Sequence, residues 1–162
     1  MDPAVPLIYS RESLPPPPGF WTRALAGMLA ALCMSFLIIG AWLTPGSAGY
    51  GTHQQLGLDR CQFEARTGLP CPSCGFTTSV TYFVHGNWLA SFYLQPMGFV
   101  IALFFCATVW IGFYIAFTGR PVYRLFSRLP GRVWLMALLF FAVGGWAWKI
   151  FIHVTHQDHW PP

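Results

Sequence analysis

The sequence predicts an all-α integral membrane protein: three transmembrane helices plus a short re-entrant or interfacial helix that carries a CPSCG motif. Three observations lead there. Of 162 residues, 55% are hydrophobic and only 9% charged, where a soluble domain carries about 25% charged residues. No Asp, Glu, Lys or Arg occurs from Thr67 to Gly119. Three apolar runs have the length a bilayer requires, since about 20 residues at ~1.5 Å each cover a ~30 Å hydrocarbon layer. A buried helical core would need a charged face to enclose it, and the chain has too few charges to make one.

Residues 1–23 form a Pro-rich lead-in (SLPPPPGF), expected to be extended. They precede an apolar run longer than the ~7–15 residues of a signal-peptide core, so the first span reads as retained. That span is 24–43 (ALAGMLAALCMSFLIIGAWL), stopped by Thr44-Pro45-Gly46. A cysteine-bearing segment follows over 44–96. The second span is 97–117, from Pro96 to Thr118-Gly119-Arg120-Pro121. A loop at 118–132 leads to the third span, 133–152, and a tail at 153–162 carries His153, His156 and His159. Trp42, Trp110, Trp134, Trp146 and Trp148 are spread through and around the spans as interfacial anchors often are.

Orientation follows from the arginines. Arg120, Arg124, Arg128 and Arg132 share one loop with no acid among them. They suit anionic lipid headgroups, and the positive-inside rule puts this loop in the cytoplasm. With three spans the N-terminus is cytoplasmic as well, and segment 44–96 and the tail lie outside. The loop is too short and too tethered for nucleic acid. A rival topology makes Cys74–Leu94 a further span and brings the cysteines to the arginine side; His85-Gly86-Asn87 and a threonine stripe speak against it.

Chemistry should lie within Leu58–Pro96. There Cys61, Thr67-Gly68, Cys71-Pro72-Ser73-Cys74-Gly75-Phe76-Thr77, Gly86-Asn87, Ala90 and Gln95-Pro96 stand in order. This pattern resembles the bacterial membrane-protein family called domain of unknown function 2752. Thr78 stands where Arg is usual and Gln95 where Asn is usual. The resemblance implies a multi-pass protein of the bacterial inner membrane with a focal site around the cysteines, and it supplies no activity.

Pro72 suits the first position of a helix with Cys71 as its N-cap, where the helix dipole would favour a thiolate. Thr77, Thr78, Thr81 and His85 then share a face directed to water or protein, opposite Phe76, Val80, Phe83 and Val84. Gly86-Asn87 would end that helix. A second short piece with Trp88, Leu89, Phe92 and Tyr93 would lead to Gln95-Pro96.

Three readings of Cys61, Cys71 and Cys74 stay open. One is a structural disulfide, favoured by an oxidising exterior. Another is a metal site, zinc being possible, with a fourth ligand from His53, His85 or the tail histidines. The third is a thiol–disulfide oxidoreductase using Cys71 and Cys74. Cys33 and Cys106 lie mid-span as packing residues. No phosphate loop, haem motif, HExxH or carboxylate pair is present. The expected role is a non-catalytic accessory or assembly subunit among other membrane-protein subunits; the alternative is the redox enzyme.

Overall fold

The structure, a computed structural model, describes residues 18–120, 122 and 130–159. The proline run before residue 18, Arg124, Arg128 and the last three residues of the tail lie outside the described residues.

An apolar run with helix breakers only at its ends makes a long helix, and three such runs do so. They are α1 (Phe20–Trp42), α5 (Pro96–Thr118) and α6 (Gly131–Val154), of 23, 23 and 24 residues, each long and apolar enough to cross a membrane. The expected spans were a few residues shorter. Each helix extends to the nearest breaker instead: Gly19 before α1, Gln95 with Pro96 at the start of α5, Pro130 before α6. The protein is a multi-pass, all-helical membrane protein.

Between α1 and α5 lie a 3-10 turn (Thr52–Leu56) and three short helices, α2 (Gln62–Thr67), α3 (Phe76–Val84) and α4 (Trp88–Leu94). The last two have nine and seven residues, so at ~1.5 Å per residue they reach about 13 and 10 Å. Each is too short to cross a bilayer alone, and Gly86, at φ +83°, turns the chain between them where the rival arrangement has one continuous helix.

Lipid gives helices no hydrophobic reason to associate, so close packing of small residues has to do it. α1 and α5 run antiparallel through such a seam. Gly27 faces Ala116, and a Cβ on Gly112 would lie 2.7 Å from the Ala26 carbonyl and 2.8 Å from the Ala30 Cβ. At one end Arg23 donates to the Ala116 carbonyl at 2.7 and 3.0 Å and to that of Phe117 at 3.3 Å. It caps the carbonyls that the last turn of α5 leaves unpaired, where a cation also complements the dipole.

At the opposite end α3 and α4 fold back on each other. The Ser79 hydroxyl bridges Ser91 Oγ and its carbonyl, both at 2.9 Å, and Phe83 stacks on Trp88. Gly86, at φ +83°, turns the chain, and Asn87 Oδ1 accepts from Ala90 N to start α4. This hairpin rests on Gly40 of α1 through Val80 and on Phe99 of α5 through Phe83. The threonine face therefore turns inward. Thr78, Ser79 and Thr81 are buried while His85 is exposed, because hydroxyls can pair inside the protein. Thr78 does so with Thr52 at 2.8 Å.

α6 is held by its C-terminal half. Gly145 packs on Met97, Trp146 Nε1 donates to Pro70 O at 3.0 Å, and Trp148 Nε1 donates to Tyr93 O at 2.6 Å. Lys149 and Ile152 are fully buried on the same face, whereas Met136, Phe140 and Val143 in the other half are exposed. Because residue 145 meets residue 97, α6 is antiparallel to α5. The start of α6, with Arg132, thus shares an end with Arg23 and Arg120. The tail lies at the other end beside the cysteine segment, where the His153 ring meets Tyr50.

A three-thiol candidate site

Two separate stretches deliver the thiols. Cys61 precedes α2, whose last turn closes on Gly68 at φ +70° with Gly68 N donating to Glu64 O at 2.8 Å. The Thr67 hydroxyl donates to Phe63 O at 2.7 Å and accepts from Leu69 N at 3.2 Å. This sends the chain back so that Cys71 arrives beside Cys61.

The next residues form a turn and not the first turn of a helix. Cys74 N donates to Cys71 O at 3.0 Å, with Pro72 at the second position, where its fixed φ serves as well as it would in a helix. Gly75, at φ +84°, then caps α3. The expectation that Cys71 caps a helix beginning at Pro72 is corrected accordingly: a left-handed residue at 75 separates the two. The turn is tied from several sides. Pro70 O accepts from Trp146, Pro72 O accepts from Gln95 Nε2 at 2.9 Å, and Ser73 O accepts from Phe76 N at 3.0 Å. The Gln95 Oε1 is buried with no hydrogen-bond partner among the described residues.

The sulfurs of Cys61, Cys71 and Cys74 all lie within 4.8 Å of one another, and all are free thiols. Cys71 Sγ is 3.0 Å from Cys74 Sγ and 3.3 Å from Ser73 Oγ. Cys74 is buried and the other two are half-buried. Their acidities differ. Burial alone would raise the Cys71 thiol, but hydrogen bonds from Cys74, Ser73 and Cys61 outweigh it and hold it below its ordinary value. The Cys74 thiol is pushed far up, first by burial and then by its hydrogen bonds to Cys71 and Cys61. The lowering expected from a helix dipole comes instead from hydrogen bonds, at Cys71.

Residues 61–109 match the family model described as "Protein of unknown function (DUF2752)". The DUF2752 match begins at the first thiol and runs through α3 and α4 to Val109 in α5. No curated protein and no solved structure matches the chain. Thr78 and Gln95, which depart from the commoner DUF2752 pattern, are both fully buried and hydrogen-bonded.

The histidines stay apart from the thiols. Among the described residues the cluster contains three ligand groups, all cysteine. His85 Nδ1 meets Thr81 O at 2.8 Å, His53 Nε2 meets Asp59 O at 3.2 Å, and His153 Nδ1 pairs with Asp158 at 2.8 Å. Beside Cys61 opens a cavity of about 490 Å³ lined by Tyr50, Gln54, Gln55, Arg60 and Glu64 among others. The sequence reading passed over Lys149. It is the chain's one lysine, set inside an apolar span, which is by itself a signal of function. It is fully buried, and a Cβ on Gly75 would lie 3.4 Å from its Nζ.

Proposed function

We propose that the cluster holds a thiophilic metal ion. On this reading the protein is a non-catalytic accessory or assembly subunit of a complex in the bacterial inner membrane. The observation that carries it is the convergence of three free thiols within 4.8 Å. Zn–S bonds of ~2.3 Å place sulfurs about 3.8–4.0 Å apart in tetrahedral or trigonal sites, so small side-chain rotations suffice. An all-thiol donor set selects Zn²⁺ or Cu⁺ over harder ions. With three protein ligands a fourth position stays open on zinc, where a neighbouring subunit can bind. The metal would lock α2 to the Cys71–Cys74 turn.

Metal analysis of the detergent-purified protein beside Cys61→Ala tests this. The expected result is one bound ion per chain in the wild type and loss in the variant. Absence from both removes the reading.

One observation favours a second reading. A half-exposed, acidified Cys71 lies 3.0 Å from a buried Cys74 of raised pKa, an attacking and resolving pair for thiol–disulfide exchange. Differential alkylation with and without reductant tests it; a pair locked in one state under oxidising and reducing growth sinks it.

For topology we infer a cytoplasmic arginine end and an extracytoplasmic cysteine end. Arg60 and Arg66 against Asp59, Glu64 and Asp158 leave 44–96 and the tail at −1, while residues 118–132 carry four arginines and no acid. Labelling of Cys61 by an impermeant reagent on intact cells is the expected outcome, and labelling only after lysis reverses the assignment.

A further inference from the structure

A buried cation needs an anion, and Lys149 has no carboxylate within ion-pair distance among the described residues. The acid that interacts with it most strongly, Asp158, is hydrogen-bonded to His153. What surrounds the ammonium is backbone and ring: it donates to Gly49 O at 3.3 Å and lies 5.7 Å from the centre of the Tyr50 ring. Its other neighbour is the thiol turn. Gly75 directly follows Cys74, and Nζ packs against it, 3.4 Å from where a Cβ would be. The nearby arginines Arg60 and Arg66 are exposed and screened by water; Lys149 is not.

We propose that Lys149 is a positioning residue of the three-thiol site, its ammonium balancing the negative charge that the cysteines carry as thiolates. This rests on the metal reading given above and extends it. Three thiolates and one divalent ion sum to −1, and a single buried ammonium brings the site to zero. A neutral assembly is the form that tolerates burial at the membrane boundary. The apolar span also explains why the cation is a lysine delivered from α6. Its long stem lies along the packed face, while its tip reaches the boundary where the turn is.

The test has two arms, in detergent, on the wild type, Lys149→Met, Lys149→Gln and Lys149→Arg. In metal-free protein the rate of modification of Cys71 is measured with anionic iodoacetate and with neutral iodoacetamide. The ratio reports the local potential and is indifferent to a general loosening of the fold. It is expected to fall by about fivefold in the neutral variants and to be kept in Lys149→Arg. In the second arm zinc affinity is measured by chelator competition and is expected to fall by about tenfold in the neutral variants, the size typical of lost outer-shell partners. An unchanged reagent ratio in a folded neutral variant overturns the proposal and leaves Lys149 as a tie between α6 and the Gly49 loop. If neither neutral variant folds, the ratio in native wild type must exceed that in the chain unfolded by urea in a nonionic detergent, and equality overturns the proposal equally. A wild type that binds no zinc yet shows the drop in ratio refutes the metal reading and not the role of Lys149.

Discussion

Gly75→Ala is the sharpest perturbation of the site. Two costs combine. At φ +84° a residue with a Cβ pays about 1–2 kcal/mol in backbone strain. The new Cβ would also lie 3.0 Å from Gly49 O and 3.4 Å from the Lys149 Nζ. The Gly49 loop cannot retreat, because Gly49 itself backs directly onto the Asp158 carbonyl and the Leu94 side chain. Crowding of that kind costs about 1–3 kcal/mol, so the total is about 2–5 kcal/mol. Gly68→Ala isolates the first part: φ is +70° there and nothing lies within 4 Å of the added carbon. Equilibrium unfolding in mixed micelles, followed by tryptophan fluorescence, should rank wild type, Gly68→Ala and Gly75→Ala in that order. The two variants should differ by the crowding cost, about 1–3 kcal/mol. Equal losses would refute the claim that the turn is wedged between the Gly49 loop and Lys149.

Other expectations follow from the same geometry. Gly112→Val should force α1 from α5, since even a Cβ would be 2.7 Å from Ala26 O, while Gly27→Ala, at 3.5 Å from Ala116, should be tolerated; thermal stability in detergent distinguishes them. Arg23→Gln should cost about 1–2 kcal/mol by uncapping α5, read by the same unfolding titration. Thr78→Val removes the buried hydroxyl pair with Thr52 and should cost about 1–2 kcal/mol, without altering the Cys71–Cys74 spacing as judged by bifunctional thiol reagents. Because the Cys71 thiol lies below its ordinary value and a hydrogen bond from Cys74 helps to hold it there, its alkylation rate should rise through a midpoint below that of a free cysteine, ~8.5. Cys74→Ala should move that midpoint up, and an unmoved midpoint would show that the hydrogen bond does not contribute.

The spans were legible in the sequence because nothing competes with an uninterrupted apolar run in lipid; only their ends moved, the starts going to the nearest Gly or Pro. Gly86-Asn87 was legible too, as a left-handed turn followed by a side-chain cap. The threonine stripe was expected to face water or protein, and spacing could not choose between them: Thr78 turns to protein because its partner Thr52 arrives from elsewhere in the chain. Pro72 was misread because its φ serves a turn and a helix start equally; the deciding residue was Gly75. The meeting of Cys61 with Cys71 and Cys74 depends on how α2 and Gly68 reverse the chain, and spacing does not encode that. Lys149 carried the clearest overlooked signal, a lone cation in a span, but its target was set by tertiary packing.

The attachment of α6 by its C-terminal half has a consequence for the order in which the molecule is made. The thiols and their turn leave the ribosome well before Trp146 and Lys149, which reach Pro70 and the Gly49 loop from residues 146 and 149 of the chain. Domains acquire structure from the N-terminal side during synthesis, so the thiol turn waits with only its earlier ties, Gln95 among them, until the third span is made. The finished site is in that sense a record of complete insertion: a chain interrupted before α6 carries every cysteine and lacks Trp146 and Lys149.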